Sequence, residues 1–370
     1  MRITCIIAFF CYTGNCESFA LNWYINKLTM KNTAGIIIGV ALLAGGAYFV
    51  ISNQDTQTVT VEPDVVEVPS LAIATSFYPL EFALERIVGE FGTVTNIGAG
   101  RDPHDFKPST QDMVTMQQSD LVVLQGADFE PWGDDVITRL EADSVPVMLA
   151  TANIELHEGG DSHAGEDIHG EESDEDESEE GTHDGEDTEE SSEDEDKHGA
   201  YDPHTWLNPV LFSEMVKHVA EKIATLDPSN ATVYLENAAA LQAELAVLDV
   251  EYASRLSNCE LDEVITSHDA FGYVADQYNF EVHSIAGLST QDTPSVTTLA
   301  VLREEAEEGI GAILLEENSI TAYGETLARE TGLQTLSLNP IAFSIPTNET
   351  YLTVMQKNLD SFVIALACNE

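Results

Sequence analysis

Basic residues are scarce in this 370-residue chain: 14 Lys plus Arg stand against 66 Asp plus Glu, for a formal net charge of −52. A surface so negative repels phosphate backbones, which excludes a nucleic-acid partner, and attracts cations. Cysteine is nearly absent from the body of the chain, where only Cys259 and Cys368 follow Cys5, Cys11 and Cys16. Missing too are the hydrolase signatures HExxH and GxSxG, and any paired base and acid at helical spacing. These absences argue against an enzyme. What remains of that class is a hydrolase with a histidine-held metal, using Glu316 or Glu317 at the end of a predicted strand as general base.

What is present divides the chain unevenly. Hydrophobic residues make up 43% of it, enough for real cores, and the length accommodates two domains with appendages. Of the 66 acids, 22 lie between Glu155 and Asp196. Such a stretch cannot bury enough apolar surface to fold, so residues 155–200 read as a disordered loop. Five of the ten histidines, His157, His163, His169, His183 and His198, lie in it or at its edge. Two readings stand: an accessory cation collector, or a solvated charge run with incidental histidines. The other 44 acids still outnumber the basic residues, as in a salt-adapted or simply well-solvated surface.

The N-terminus reads as an export segment. Residues 34–51 carry no charge, follow Lys27 and Lys31, and precede the polar run 52–55. That length suits a transmembrane anchor or a signal-peptide core, with the N-terminal side in the cytoplasm and the rest exported to the cell surface or periplasm. The uncleaved anchor is the preferred reading; no cysteine follows the run to carry a lipid. Residues 1–33 form an extension, Met30-Lys31 has the form of an export-signal start, and residues 52–69 read as a tether. In an oxidising compartment Cys259 and Cys368 are either a disulfide or two buried free thiols.

From residue 70 onward strands alternate with helices. Strands are expected at 71–77, 93–97, 121–125 and 145–149, with helices at 80–88, 109–118 and 132–141. After a helix at 210–226 and a longer one at 228–256, the alternation resumes: strands at 263–267, 281–285, 311–315 and 333–338, helices at 270–278, 296–308, 322–331 and 351–366. The fold class is α/β: two similar lobes with mainly parallel sheets flanked by helices, joined by one long backbone helix. The expected division is an N-terminal lobe at 70–227, a linking helix at 228–258 and a C-terminal lobe at 259–370. Ligands of such sheets sit at the C-terminal ends of strands, and here in the cleft between lobes.

Three histidines fall at such positions: His104 in RDPHDF, His204 in YDPHTW and His268 in SHDAFGY. Each stands beside an Asp and an aromatic residue. Three such imidazoles suggest a convergent metal site, with Asp105, Asp202 and Asp269 as acceptors for the distal ring N–H groups.

With these stretches in hand, and with TSFYPL at 75–80, LVVLQGADFEPW at 121–132, GLSTQDTPS at 287–295 and TYLTVMQKNL at 350–359, the chain resembles the ZnuA/TroA-like metal receptors of ABC importers. The likeness spans residues 70–370. It implies metal ligands at His104, His204 and His268, and a disulfide between Cys259 and Cys368. The acidic insertion also resembles the zinc branch. Where manganese receptors of the family tend to carry a carboxylate near the last strand, this chain has Asn339, which leaves the fourth position to water or another carboxylate. The resemblance further implies Zn(II) as cargo, with Mn(II) as runner-up, and a monomer that delivers its ion to a membrane permease driven by an ATPase. A surface metal buffer or adhesin, a cell-adhesion role, is the non-transport alternative.

Overall fold

A computed structural model describes residues 70–158, 201–289, 292–316, 321–343 and 345–369. The extension 1–33, the apolar run 34–51, the tether 52–69, most of the acidic loop with His163, His169, His183 and His198, and Glu317 lie outside the described residues. Among the described residues no helix is long and apolar enough to cross a membrane.

The first sheet is built from β1 (Leu71–Thr75), β2 (Gly92–Asn96), β3 (Leu121–Leu124) and β4 (Val147–Leu149). They run parallel in the order β2-β1-β3-β4. β3 reads LVVL and is buried throughout, as a strand covered on both faces must be. The crossovers carry α1 (Tyr78–Val88), α2 (Thr110–Gln117) and α3 (Gly133–Ala142). A capping box starts α2: Ser109 Oγ accepts the Asp112 N–H while the Asp112 carboxylate accepts that of Ser109.

The chain then forms α4 (Pro209–Leu226) and α5 (Ala231–Arg255). α5 starts three residues after the expected Pro228. Asp227 holds the preceding turn by accepting from Ser229 N, Asn230 Nδ2 and the Tyr234 hydroxyl. Its 25 residues span about 38 Å, enough to run the length of both lobes.

The second sheet repeats the first. β5 (Glu263–Thr266), β6 (Glu281–Ser284), β7 (Ala312–Glu316) and β8 (Gln334–Leu338) are parallel in the order β6-β5-β7-β8. Its helices are α6 (Gly272–Tyr278), α7 (Val296–Glu308), α8 (Ala322–Thr331) and the closing α9 (Tyr351–Ala365). In each sheet the winding reverses beside the first strand, which opens a crevice at the strand C-terminal ends.

One hydrophobic cluster runs through both halves, including Phe77, Trp206 and Phe212 from the first and Phe271, Tyr351 and Phe362 from the second. α5 packs against α1 and α4 on one side of this seam and α9 on the other. Polar ties cross it too: Trp206 Nε1 donates to Pro340 O at 2.8 Å, Tyr351 Oη to Trp206 O at 2.6 Å, and Asn208 Nδ2 to Tyr273 O at 2.9 Å. Each large side chain exposed by parting the lobes would cost about 1.5–3 kcal/mol, so wide hinge opening is opposed. A disulfide joins Cys259, just ahead of β5, to Cys368 after α9.

Candidate metal centre

Two of the three histidines are set by the same local device. In Asp102-Pro103-His104 and Asp202-Pro203-His204, the Asp Oδ1 accepts the backbone N–H of the His two residues on, at 3.0 and 2.9 Å. The first turn follows β2, and the second leads into the 3-10 turn Thr205–Leu207. His268 stands two residues beyond the end of β5, where Thr266 Oγ1 donates to its carbonyl at 2.9 Å.

The tertiary fold brings all three together. Their ring centroids are 5.6 Å (His104 to His204), 6.3 Å (His104 to His268) and 5.2 Å (His204 to His268) apart. One nitrogen from each lies within 4.8 Å of the others. His204 and His268 are 0% and 1% exposed.

Hydrogen bonding aims the rings. His204 Nδ1 meets Asp202 Oδ1 at 2.8 Å, and His204 Nε2 is buried with no hydrogen-bond partner. A buried lone pair left unmatched is costly, and a cation would satisfy it. His268 Nδ1 meets Glu316 Oε2 at 2.5 Å, which leaves Nε2 as the ring nitrogen available to a cation.

The surroundings keep two imidazoles neutral. Burial, reinforced by the charges His204 and His268 would carry, lowers the His104 pKa to about 3. His204 is held well below the ordinary range by burial and by His268. Burial also depresses His268, but the charge and hydrogen bond of Glu316 outweigh it and its pKa is raised. Burial lifts Asp202 to about 7.

Behind the rings lies a stiff wall. Phe129 meets His104 edge-on at 5.0 Å, and Trp206 lies 5.1 Å from His204. Gly126, Ala127 and Asp128 all have positive φ (84°, 56° and 57°), a conformation that costs a non-glycine residue about 1–2 kcal/mol. The buried Glu130 carboxylate holds this turn by accepting from Ser76 Oγ, Gln125 N and Gly126 N. Gln125 Nε2 then donates to Pro203 O and Thr205 Oγ1, coupling the turn to the His204 loop.

Of the expected buttressing acids, Asp202 contacts His204. At His268 a contact on Nδ1 comes from Glu316, and at His104 Asp102 accepts the backbone N–H while Asp105 is exposed. Glu316 ends β7, the parallel neighbour of β5. An acid closing a predicted strand was the only sequence signal for it. Asn339 has its side chain engaged in a turn, with Oδ1 accepting Ile341 N–H at 2.8 Å.

His157, the one loop histidine described, stands outside the three-ring group. It stacks on Tyr273 at 4.0 Å with Nε2 3.3 Å from Asp276. The Tyr273 hydroxyl accepts from His157 N and donates to Asp202 O. Glu158 pairs with Tyr201 in an isolated bridge, three residues ahead of His204 in the chain.

Two parallel-sheet lobes that share one core and are spanned by a long helix, with three histidines brought together beyond the strand ends, define a bilobal α/β protein with a candidate metal centre. The sequence profile described as zinc-uptake complex component A, periplasmic, matches residues 73–365. The chain belongs to this ZnuA family. It is 34% identical over 297 residues to the high-affinity zinc uptake system protein ZnuA of Bacillus subtilis, covering 79% of this chain and 86% of that one. It is 32% identical over 295 residues to the zinc-binding lipoprotein AdcA of Streptococcus pneumoniae, covering 78% of this chain. The chain spans about half the length of that relative, 54%.

Among solved structures, the Zn(II)-bound ZnuA-like domain of S. pneumoniae AdcA superposes with a TM-score of 0.62 at 29% identity, covering 80% of this chain and 99% of the domain. A laminin-binding adhesin of Streptococcus agalactiae superposes at 0.66 with 25% identity, covering 80% of this chain and all of the other.

Proposed function

We propose that this protein is an extracytoplasmic zinc receptor that captures Zn(II) on His104, His204 and His268 and delivers it to an ABC-type permease. The observation that carries the reading is the three ring nitrogens within 4.8 Å of one another. An all-imidazole donor set with a fourth position left to water suits tetrahedral Zn(II) better than Mn(II), which prefers more oxygen ligands. The names of its relatives support the same cargo. Asp202 and Glu316 fix the tautomers, while Phe129 and Trp206 limit water.

The single core across both halves favours release by local movement of the His268 loop over wide opening of the lobes. Residues 34–51 would hold the receptor at the membrane beside its permease, and the acidic segment with its histidines would raise the cation concentration near the site.

The test is a competition titration with Zn(II) and Mn(II), in the parent and in His204→Ala. One tight zinc equivalent that weakens by orders of magnitude in the variant supports the reading. A preference for manganese, or an unchanged zinc affinity, overturns it.

A further inference from the structure

Among the described residues one other group of side chains lies close enough to share an ion: Glu263, Glu281 and His283, with ligand atoms within 4.8 Å of one another. The sheet builds it. β5 and β6 set Glu263 opposite Glu281 and Ile265 opposite His283. Since side chains alternate along a strand, all four project from one face. That face is covered by α7, whose Leu302 and Ala306 pack with Ile265.

α7 also supplies Glu305. Its Oε2 lies 3.2 Å from His283 Nδ1, while Glu263 Oε2 lies 3.4 Å from Nε2. The His283 side chain is only 11% exposed, and its two buried ring nitrogens, though each faces a carboxylate oxygen, make no hydrogen bond of good geometry. An imidazole in that condition is costly unless a proton or a cation resolves it. Glu281 is exposed and Glu263 half exposed, so an ion can enter from solvent.

The geometry points to a second divalent-cation site, with His283 Nε2 and the carboxylates of Glu263 and Glu281 as ligands. Glu305 stands behind Nδ1 and orients the ring, as Glu316 does for His268. One nitrogen and two carboxylates accept Zn(II) and Mn(II) more evenly than three imidazoles do. Glu263 opens β5 and His268 follows its other end, about 16 Å away along the strand, so the two sites do not share an ion. A cation there would clamp the edge strand β6 to β5.

The competing account is a protonated His283 bridging Glu263 and Glu305 with no metal. The experiment uses the full chain, stripped of metal and given one equivalent of Zn(II) to fill the cleft. Zn(II) is then added by equilibrium dialysis at neutral pH to the parent, His283→Gln and Glu281→Gln. Binding elsewhere on the acidic chain is common to all three, so the difference counts this site. Both variants are expected to bind one equivalent fewer than the parent, with cleft affinity unchanged, and the His283 ring 15N signals of the parent should move as that equivalent is added. Glu281→Gln replaces an exposed side chain and keeps the test informative where His283→Gln fails to fold. Equal counts in all three proteins, with His283 carrying protons on both nitrogens, would overturn the site in favour of the ion pair.

Discussion

Glu316 Oε2 lies 2.5 Å from His268 Nδ1, with both side chains 1% exposed. The carboxylate reaches His268 from the neighbouring strand β7, 48 residues further along the chain. It does two things: it points Nε2 toward the other imidazoles, and it makes His268 the most basic of the three rings.

Replacing Glu316 by Gln keeps the volume but removes the charge. Zinc affinity should fall about 10–100-fold, the usual cost of losing a carboxylate behind a metal-binding histidine. A chelator-competition titration measures it, and an unchanged affinity would show that Glu316 does not tune the ring.

The pH dependence should follow His268. His104 and His204 are lowered and stay neutral through the working range. His268 is raised, so its proton is the one a metal must displace, and affinity should drop as pH falls through its raised range. The same shift has the opposite sign for the metal-free protein: the stability it contributes is full below the ordinary histidine value of 6.5 and is lost as pH rises through the folded value. Calorimetry in buffers of different ionisation enthalpy should count up to about one proton released per zinc bound. No release at neutral pH would contradict the raised value.

The Cys259–Cys368 bond spans 109 residues of sequence. Constraining a loop of that length in the unfolded chain stabilises the fold by about 4–5 kcal/mol in the chain-entropy account. Reduction, or the double serine variant, should therefore shift urea unfolding strongly while leaving zinc affinity nearly unchanged, since the bond lies away from the three histidines. A large loss of affinity in a still-folded variant would contradict that separation.

Tyr351→Phe should cost about 1–3 kcal/mol in equilibrium unfolding, because it strands the buried Trp206 carbonyl that the hydroxyl satisfies. A neutral result would mean that water or a shifted neighbour replaces the bond.

Much of this was legible along the chain. The buried run LVVL, the Ser109 cap and the alternation of strands and helices give the elements to within a few residues, because each depends on side chains close in sequence. The two Asp-Pro-His turns are local as well, and they marked His104 and His204. The start of α5 was misplaced because Asp227 spends its carboxylate on a turn, a choice that becomes visible only when Tyr234 is seen to reach back to it.

The sequence by itself determined the α/β class, the three histidines and the acidic character that draws cations. Only the tertiary structure decided which acid supports which ring. Glu316 and His268 are joined by parallel strand pairing, and the second cluster around His283 by strand register and a covering helix. Those partners are distant along the chain and near only after burial of the common core has set the sheets, so no local pattern encodes them.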